Sequence, residues 1–284
     1  MERSLLWLFE VGGASFAGGV IGAISGFGGG IVIVPVLTVF LGLPIQHTIG
    51  ASIISVIAVS SGAGSVYVKD RITNIRIAMF LELSTALGAI LGAAVLSRYL
   101  GGPSLYVLFG ITLLLTLIPI LANIHQELPE NVRNDRLAAA LRLNSSYFDH
   151  RLGREVSYQV TGIPQAMGIM GVAGVVSGLL GIGAGVVKVL AHEIYMKVPT
   201  KVSTATSNFM IGVTAASAAG VYLRRGAVLP YLVVPVATSV LAGAFLGTKL
   251  MERMSNARVR QVFAVALGVI GAQMLLRGLG GLRH

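Results

Sequence analysis

Landmarks in the first half of this chain recur 155 residues later without a gap: Gly30 is matched by Gly185, Pro44 by Pro199 and Tyr67 by Tyr222. The same register pairs Gly26 with Gly181, Gly28 with Gly183, Ser52 with Ser207, Gly88 with Gly243, Gly92 with Gly247 and Arg98 with Arg253. A repeat of this length restricts the fold to two copies of one unit. Matches begin as early as Gly13 and Gly19, which answer to Gly168 and Gly174. The apolar segment Ser4 to Ser25 has the look of a secretory signal, yet as half of a structural pair it is expected to stay in the mature protein.

The unit itself must be helical and lipid-embedded. With 55% hydrophobic and only 11% charged residues among 284, the chain carries more apolar surface than one soluble core can hide. Apolar runs near the roughly 20 residues needed to cross a bilayer predict helices at 4–25, 45–68, 74–100 and 104–124, then 162–181, 200–223, 228–252 and 257–278. Two shorter apolar pieces, 30–42 and 185–197, follow glycine clusters and read as half-helices or re-entrant arms. The fold expected is an all-α polytopic membrane protein of about 8 transmembrane helices plus two short arms. Its parts are a first repeat at 1–124, a polar connector at 125–160 and a second repeat at 161–284. The connector reads as a solvent-side linker, with a possible short surface helix at Arg136 to Leu143.

A net charge of +10 could suggest nucleic acid as a partner. The bases instead sit in short clusters between apolar runs, such as Lys69 to Arg76 and Arg224-Arg225, as the positive-inside rule requires. If the arms turn back within the membrane, the repeats are inverted. Lys69, Arg71, Arg76, the connector and the bases from Lys249 to Arg260 then share one side, which would be cytoplasmic. Arms that cross would instead make the repeats parallel, with both chain ends cytoplasmic; of the two, inversion is the reading taken.

The informative segments are the glycine elbows, Ser25 to Pro35 and Leu180 to Lys188. Clustered glycine frees backbone N–H groups that hydrocarbon cannot satisfy, so each break must face a cavity, neighbouring protein or a ligand. Matched breaks in two repeats point to a substrate site, and the helix start after each break favours an anion. Tight helix crossing without ligand contact is the alternative. The spacing Gly26, Gly28, Gly29, Gly30 is not the dinucleotide fingerprint, and no strand precedes it.

These paired elbows, GFGGGIVIVPVL and GLLGIGAGVVKVL, are each followed by a proline segment and a small polar helix, LPIQHTIGASIISV and VPTKVSTATSNFMI. In that doubled order the chain resembles the TauE/SafE sulfite exporters, also called the TSUP transporters, over nearly its whole length. The resemblance implies movement of small sulfur-containing or organic anions, such as sulfite or sulfonates, across a prokaryotic plasma membrane. Two departures bear on substrate choice: Ala184 replaces a glycine, and Lys188 to Glu193 replace the family's apolar, proline-containing run.

The expected binding residues are Gly28, Gly29, Gly30, Thr48 and Ser52 in the first repeat, and Gly183, Ala184, Gly185, Lys188, Ser203, Ser207 and Asn208 in the second. Lys188 answers to Ile33, so the halves differ by a full charge beside the elbows. It either attracts substrate or pairs with Glu82, Glu10 or Glu193. The hydroxyls either face an oxyanion or bond their own helix carbonyls. Glu82 is the candidate for a coupling proton. Glu10, nearer the end of its span, reads as snorkelling, and His192 and Glu193 read as interfacial, without the spacing of a metal site.

Gly88 to Gly92 and Gly243 to Gly247 are packing motifs. No cofactor or metal is expected, cysteine is absent, and no nucleotide-binding or hydrolase motif appears. A secondary carrier is the leading reading, with a homo-oligomer open; an anion channel is the alternative, and a membrane enzyme fits less well.

Overall fold

The computed structural model describes residues 5–25, 28–121, 132, 135–149, 152–253 and 256–281. Gly26 and Phe27 of the first elbow, and most of the connector before Asp135, lie outside them. Helices stand where apolar periodicity places them. In the first half they are α1 (Leu5–Ser25), α2 (Gly30–Pro35), α3 (Ile45–Lys69), α4 (Ile75–Ala94) and α5 (Gly102–Leu121). After a five-residue α6 (Arg136–Ala140) come α7 (Ile163–Leu180), α8 (Gly185–Leu190), α9 (Thr200–Arg224), α10 (Pro230–Arg253) and α11 (Asn256–Gly281). Five of them, α1, α3, α4, α7 and α10, are long and apolar enough to cross a membrane. The outward faces are apolar: Met79, Leu83 and Leu87 form a stripe of exposed side chains along α4, and Phe9, Val172 and Leu276 are exposed elsewhere. Water would penalise such a surface and lipid does not, so this is a multi-pass helical membrane protein.

Each short helix runs directly into a wide π-helical turn, Val36–Phe40 after α2 and Ala191–Tyr195 after α8. Pro35 stands at the first of these junctions, but Leu190 stands at the second. The wide turn is therefore not produced by proline. Other backbone features recur at the same spacing. Left-handed φ values occur at Gly28 and Gly183, at Gly42 and Lys197, and at Arg71 and Gly226. Pro44 and Pro199 precede α3 and α9 with the same extended backbone.

Helix pairing is crosswise between the halves. A Cβ placed on Gly19 of α1 would lie 2.2 Å from the Val240 carbonyl oxygen of α10, and one on Gly174 of α7 would lie 2.1 Å from that of Thr85 in α4. Likewise Gly88 of α4 leaves only 2.2 Å to the Gly171 oxygen, and Gly243 of α10 leaves 2.1 Å to that of Phe16. Only hydrogen fits at these four positions, so small residues let the backbones touch. Along these contacts residue numbers rise together: α1 runs parallel to α10, and α4 parallel to α7. By contrast α5 and α11 are antiparallel, since Gly110 approaches Gly271 while Pro103 meets Gly278 and Gly281. Antiparallel pairing also holds for α3 and α9, where Ser60 donates to the Phe209 carbonyl and Asn74, just past α3, donates its N–H to Thr206 near the start of α9.

The connector contains structure that the sequence does not announce. Strands β1 (Ser145–Asp149) and β2 (Arg154–Tyr158) pair as an antiparallel hairpin. Asn74 caps α4 by accepting from the Ile77 N–H, while its side-chain amide donates to the Leu143 carbonyl at 2.8 Å and the Tyr158 hydroxyl at 2.9 Å. Lys201 at the start of α9 pairs with Asp149 at 2.7 Å. The hairpin is thus fastened to the ends of α4 and α9, and marks one face of the molecule.

Candidate functional site

The elbows meet each other at the centre of the molecule. A Cβ on Gly30 would stand 2.4 Å from the Ser52 Oγ, 2.8 Å from the Gly181 carbonyl oxygen and 3.0 Å from the Ile182 Cα. Gly30 is glycine because the second elbow occupies that space. Gly28 and Gly183 turn the chain with φ of +82° and +73°. Both are covered by the same two side chains, Val56 of α3 and Ile211 of α9, which lie 3.0 to 3.7 Å from where their Cβ atoms would be. Val56 and Ile211 are themselves 155 residues apart. In this conformation the glycine turns face each other and these two apolar residues. An apolar cavity of about 490 Å³ lies elsewhere, between α5 and α7, lined by Leu100, Leu108, Val176 and Leu179 among others.

The second elbow is strained where the first is relaxed. Ala184 adopts a left-handed conformation, φ 47° and ψ 29°, whereas Gly29, its counterpart, is right-handed at φ −63° and ψ −20°. A side chain in that region costs on the order of 1 kcal/mol.

Most hydroxyls near the elbows hold backbone. Ser52 donates to the Gly181 carbonyl at 2.7 Å, tying α3 to the opposite elbow. Ser207 donates to the Gly185 carbonyl and Ser203 to that of Val189, both at 3.2 Å, and these tie α9 to its own arm. Thr48 donates to the Ile45 carbonyl in its own helix. Asn208 donates to the carbonyls of Ala23 and Thr204, and its buried Oδ1 has no hydrogen-bond partner among the described residues.

Charge collects beside the second elbow. Lys188 is completely buried; its Nζ donates to the Thr214 hydroxyl and lies 3.6 Å from the Glu82 carboxylate. Thr214 in turn donates to Glu82 at 2.5 Å and to the Met210 carbonyl at 3.1 Å. Of the three acids the sequence offers to Lys188, the structure selects Glu82, and Glu10 is exposed on the outside of α1. His192 and Glu193 depart from expectation. They are not interfacial but 0% and 6% exposed, because the wide turn keeps the end of the arm inside the helix cluster.

Three contributors escape the sequence reading: Thr214, Val56 and Ile211. A signal exists for each. Thr214 falls opposite Val59 in the repeat register, a polar residue against an apolar one, while Val56 and Ile211 are a matched apolar pair beside the most glycine-rich segments.

Comparison with known proteins accords with this architecture. The family model described as Sulfite exporter TauE/SafE matches residues 11–274. The chain is also 25% identical over 268 residues to the "Probable membrane transporter protein YunE" of Bacillus subtilis (strain 168), covering 92% of this chain and 94% of that protein. No solved structure matches.

Proposed function

Since the chain belongs to the sulfite exporter TauE/SafE family and is a membrane transporter, we propose that it carries a small anion, such as sulfite, a sulfonate or a related organic anion, across a prokaryotic plasma membrane. The observation that carries this reading is the buried ammonium of Lys188, three residues beyond the last glycine of the second elbow and balanced by the Glu82 carboxylate. A membrane-buried cation is costly and marks a pathway by its presence. Protonating Glu82 removes the charge that holds Lys188, and leaves the ammonium available to an entering anion. The anion and one proton then travel together.

The repeats, 1–124 and 161–284, are in this reading inverted. Equivalent helices α3 and α9 run antiparallel, as do α5 and α11, and a two-fold axis relating such pairs lies across the helices, in the membrane plane. Eight long helices cross and the two arms turn back. The face bearing the hairpin gathers Lys69, Arg71 and Arg76 and is the cytoplasmic one.

The seal of Val56 and Ile211 over both elbows favours a carrier over a channel. One closed layer on the axis must part toward each side in turn, and Gly28 to Gly30, Gly183 to Gly185, Ser203, Ser207 and Asn208 form the walls thus uncovered. The test is flux into proteoliposomes of sulfite, thiosulfate, sulfoacetate and simple carboxylates, with and without a pH gradient. Saturable transport of one class, lost in Lys188→Ala and in Gly28→Leu or Gly183→Leu, is expected. Wild-type rates in all three variants would refute the site, and large unitary currents would favour the channel.

A further inference from the structure

One buried titratable group has no part in the scheme above. His192 lies one helical turn beyond Lys188 on the same arm, a spacing that puts both side chains on one face. It is 0% exposed, neither ring nitrogen is in hydrogen-bonding geometry with a described residue, and the polar group facing it is the backbone of Ser203. An imidazole kept in a membrane protein's interior with no side-chain partner among the described residues is expensive. The groups around it are few. The Lys188 ammonium on its own arm repels a charged ring, so the resting ring is neutral, and Glu193 is its neighbour in sequence. Of the helices packed on this turn, α7 carries no charged residue, and α9 carries charge only at Lys201 near one end and Arg224 at the other. Glu82 of α4 lies one step further, through Lys188.

Position gives the ring a direction. The arm runs from the elbow to the hairpin face: the Val198 N–H donates to the His192 carbonyl, the Thr161 N–H donates to that of Met196, and Lys201, nine residues on, is 28% exposed and paired with Asp149 of the hairpin. His192 therefore stands between the Lys188–Thr214–Glu82 cluster and the water at that face. The matching positions in the first repeat are apolar. Lys188, His192 and Thr214 answer to Ile33, Leu37 and Val59, all buried.

We propose that His192 carries the coupling proton between the hairpin-side water and Glu82. The inference rests on the proton-coupled reading above and adds its route and its sidedness. The ring takes a proton from water at the hairpin face as imidazolium. It passes that proton to the carboxylate as Glu82 lets go of Lys188, and returns to neutral imidazole. Among the described residues the other face offers His47 at the start of α3, which is partly exposed and engages the Ala227 carbonyl, so exchange with Glu82 from that side waits for water admitted by opening.

The experiment compares wild type with His192→Gln and His192→Asn in oriented proteoliposomes, using the anion of the panel that the wild type transports best. Anion counterflow at equal pH is measured beside net uptake driven by acidifying the hairpin side. Expected is counterflow within about threefold of wild type and at least a tenfold loss of the pH-driven component, with acidification of the opposite side affected far less. Should both variants fail to fold, nitrogen-15 histidine NMR of the wild type decides, since the His192 ring should change protonation on adding the anion between pH 5 and 8. Unchanged pH-driven transport in the variants, or a ring that keeps one protonation state, overturns the role of His192. A wild type that moves the anion without response to pH overturns it too, while leaving anion transport intact; a wild type that moves none of the panel overturns both.

Discussion

The two elbows share a backbone plan and differ in chemistry. Around the first, Ile33, Leu37 and Val59 fill the arm and its neighbouring helix with hydrocarbon; at the matching places around the second stand Lys188, His192 and Thr214. Most of the glycines, the proline before each following long helix, the left-handed turns at Gly28 and Gly183 and the wide helical turns recur in both. A backbone plan can thus recur 155 residues along the chain while only one occurrence carries charge. The cost of burying that charge is met once, by Glu82 from the other repeat, rather than twice.

The sharpest way to break this comparison is to make the second elbow as apolar as the first. Glu82→Leu or Lys188→Leu alone leaves a buried unpaired charge and should lose roughly 3–5 kcal/mol of stability. The double variant should recover most of that loss, as read by thermal unfolding in detergent, while remaining inactive in flux assays. A double variant as unstable as the singles would mean that these residues hold the fold through contacts other than each other.

A smaller effect tests the frame. Gly30→Ala drives a methyl group into Ser52 and the Gly181 carbonyl and should cost about 2 kcal/mol, in the range of overpacked cores. A loss under half of that would show that the elbows do not press together as described. Smallest, and opposite in sign, is Ala184→Gly, which relieves the left-handed alanine and should stabilise by about 1 kcal/mol in the same unfolding measurement. No gain would indicate that the second elbow relaxes on its own.

Much of the frame is legible in the sequence because lipid enforces it. Helix ends fall near the expected limits, since every backbone group at membrane depth must be satisfied within its own helix. The pairing of Lys188 is only narrowed to three acids, because nothing in a linear pattern brings α4 against α8. His192 and Glu193 are misplaced for a related reason: hydropathy puts a polar pair at a surface, and only the packed bundle reveals that a wide turn draws them inside. The hairpin is hidden too, as its stability comes from Asn74 and Lys201 on distant helices rather than from its own short strands.

The crosswise pairing of α1 with α10 and of α7 with α4 bears on how the protein is made. When α1 leaves the ribosome its partner is still more than 200 residues from being synthesised, roughly 10–40 s at ordinary elongation rates. The glycine-lined face of α1 must wait in the lipid until nearly the whole chain has emerged. Assembly of this pair therefore closes late, and a polypeptide cut short before α10 would be left with an unmatched helix for the membrane quality-control proteases to find.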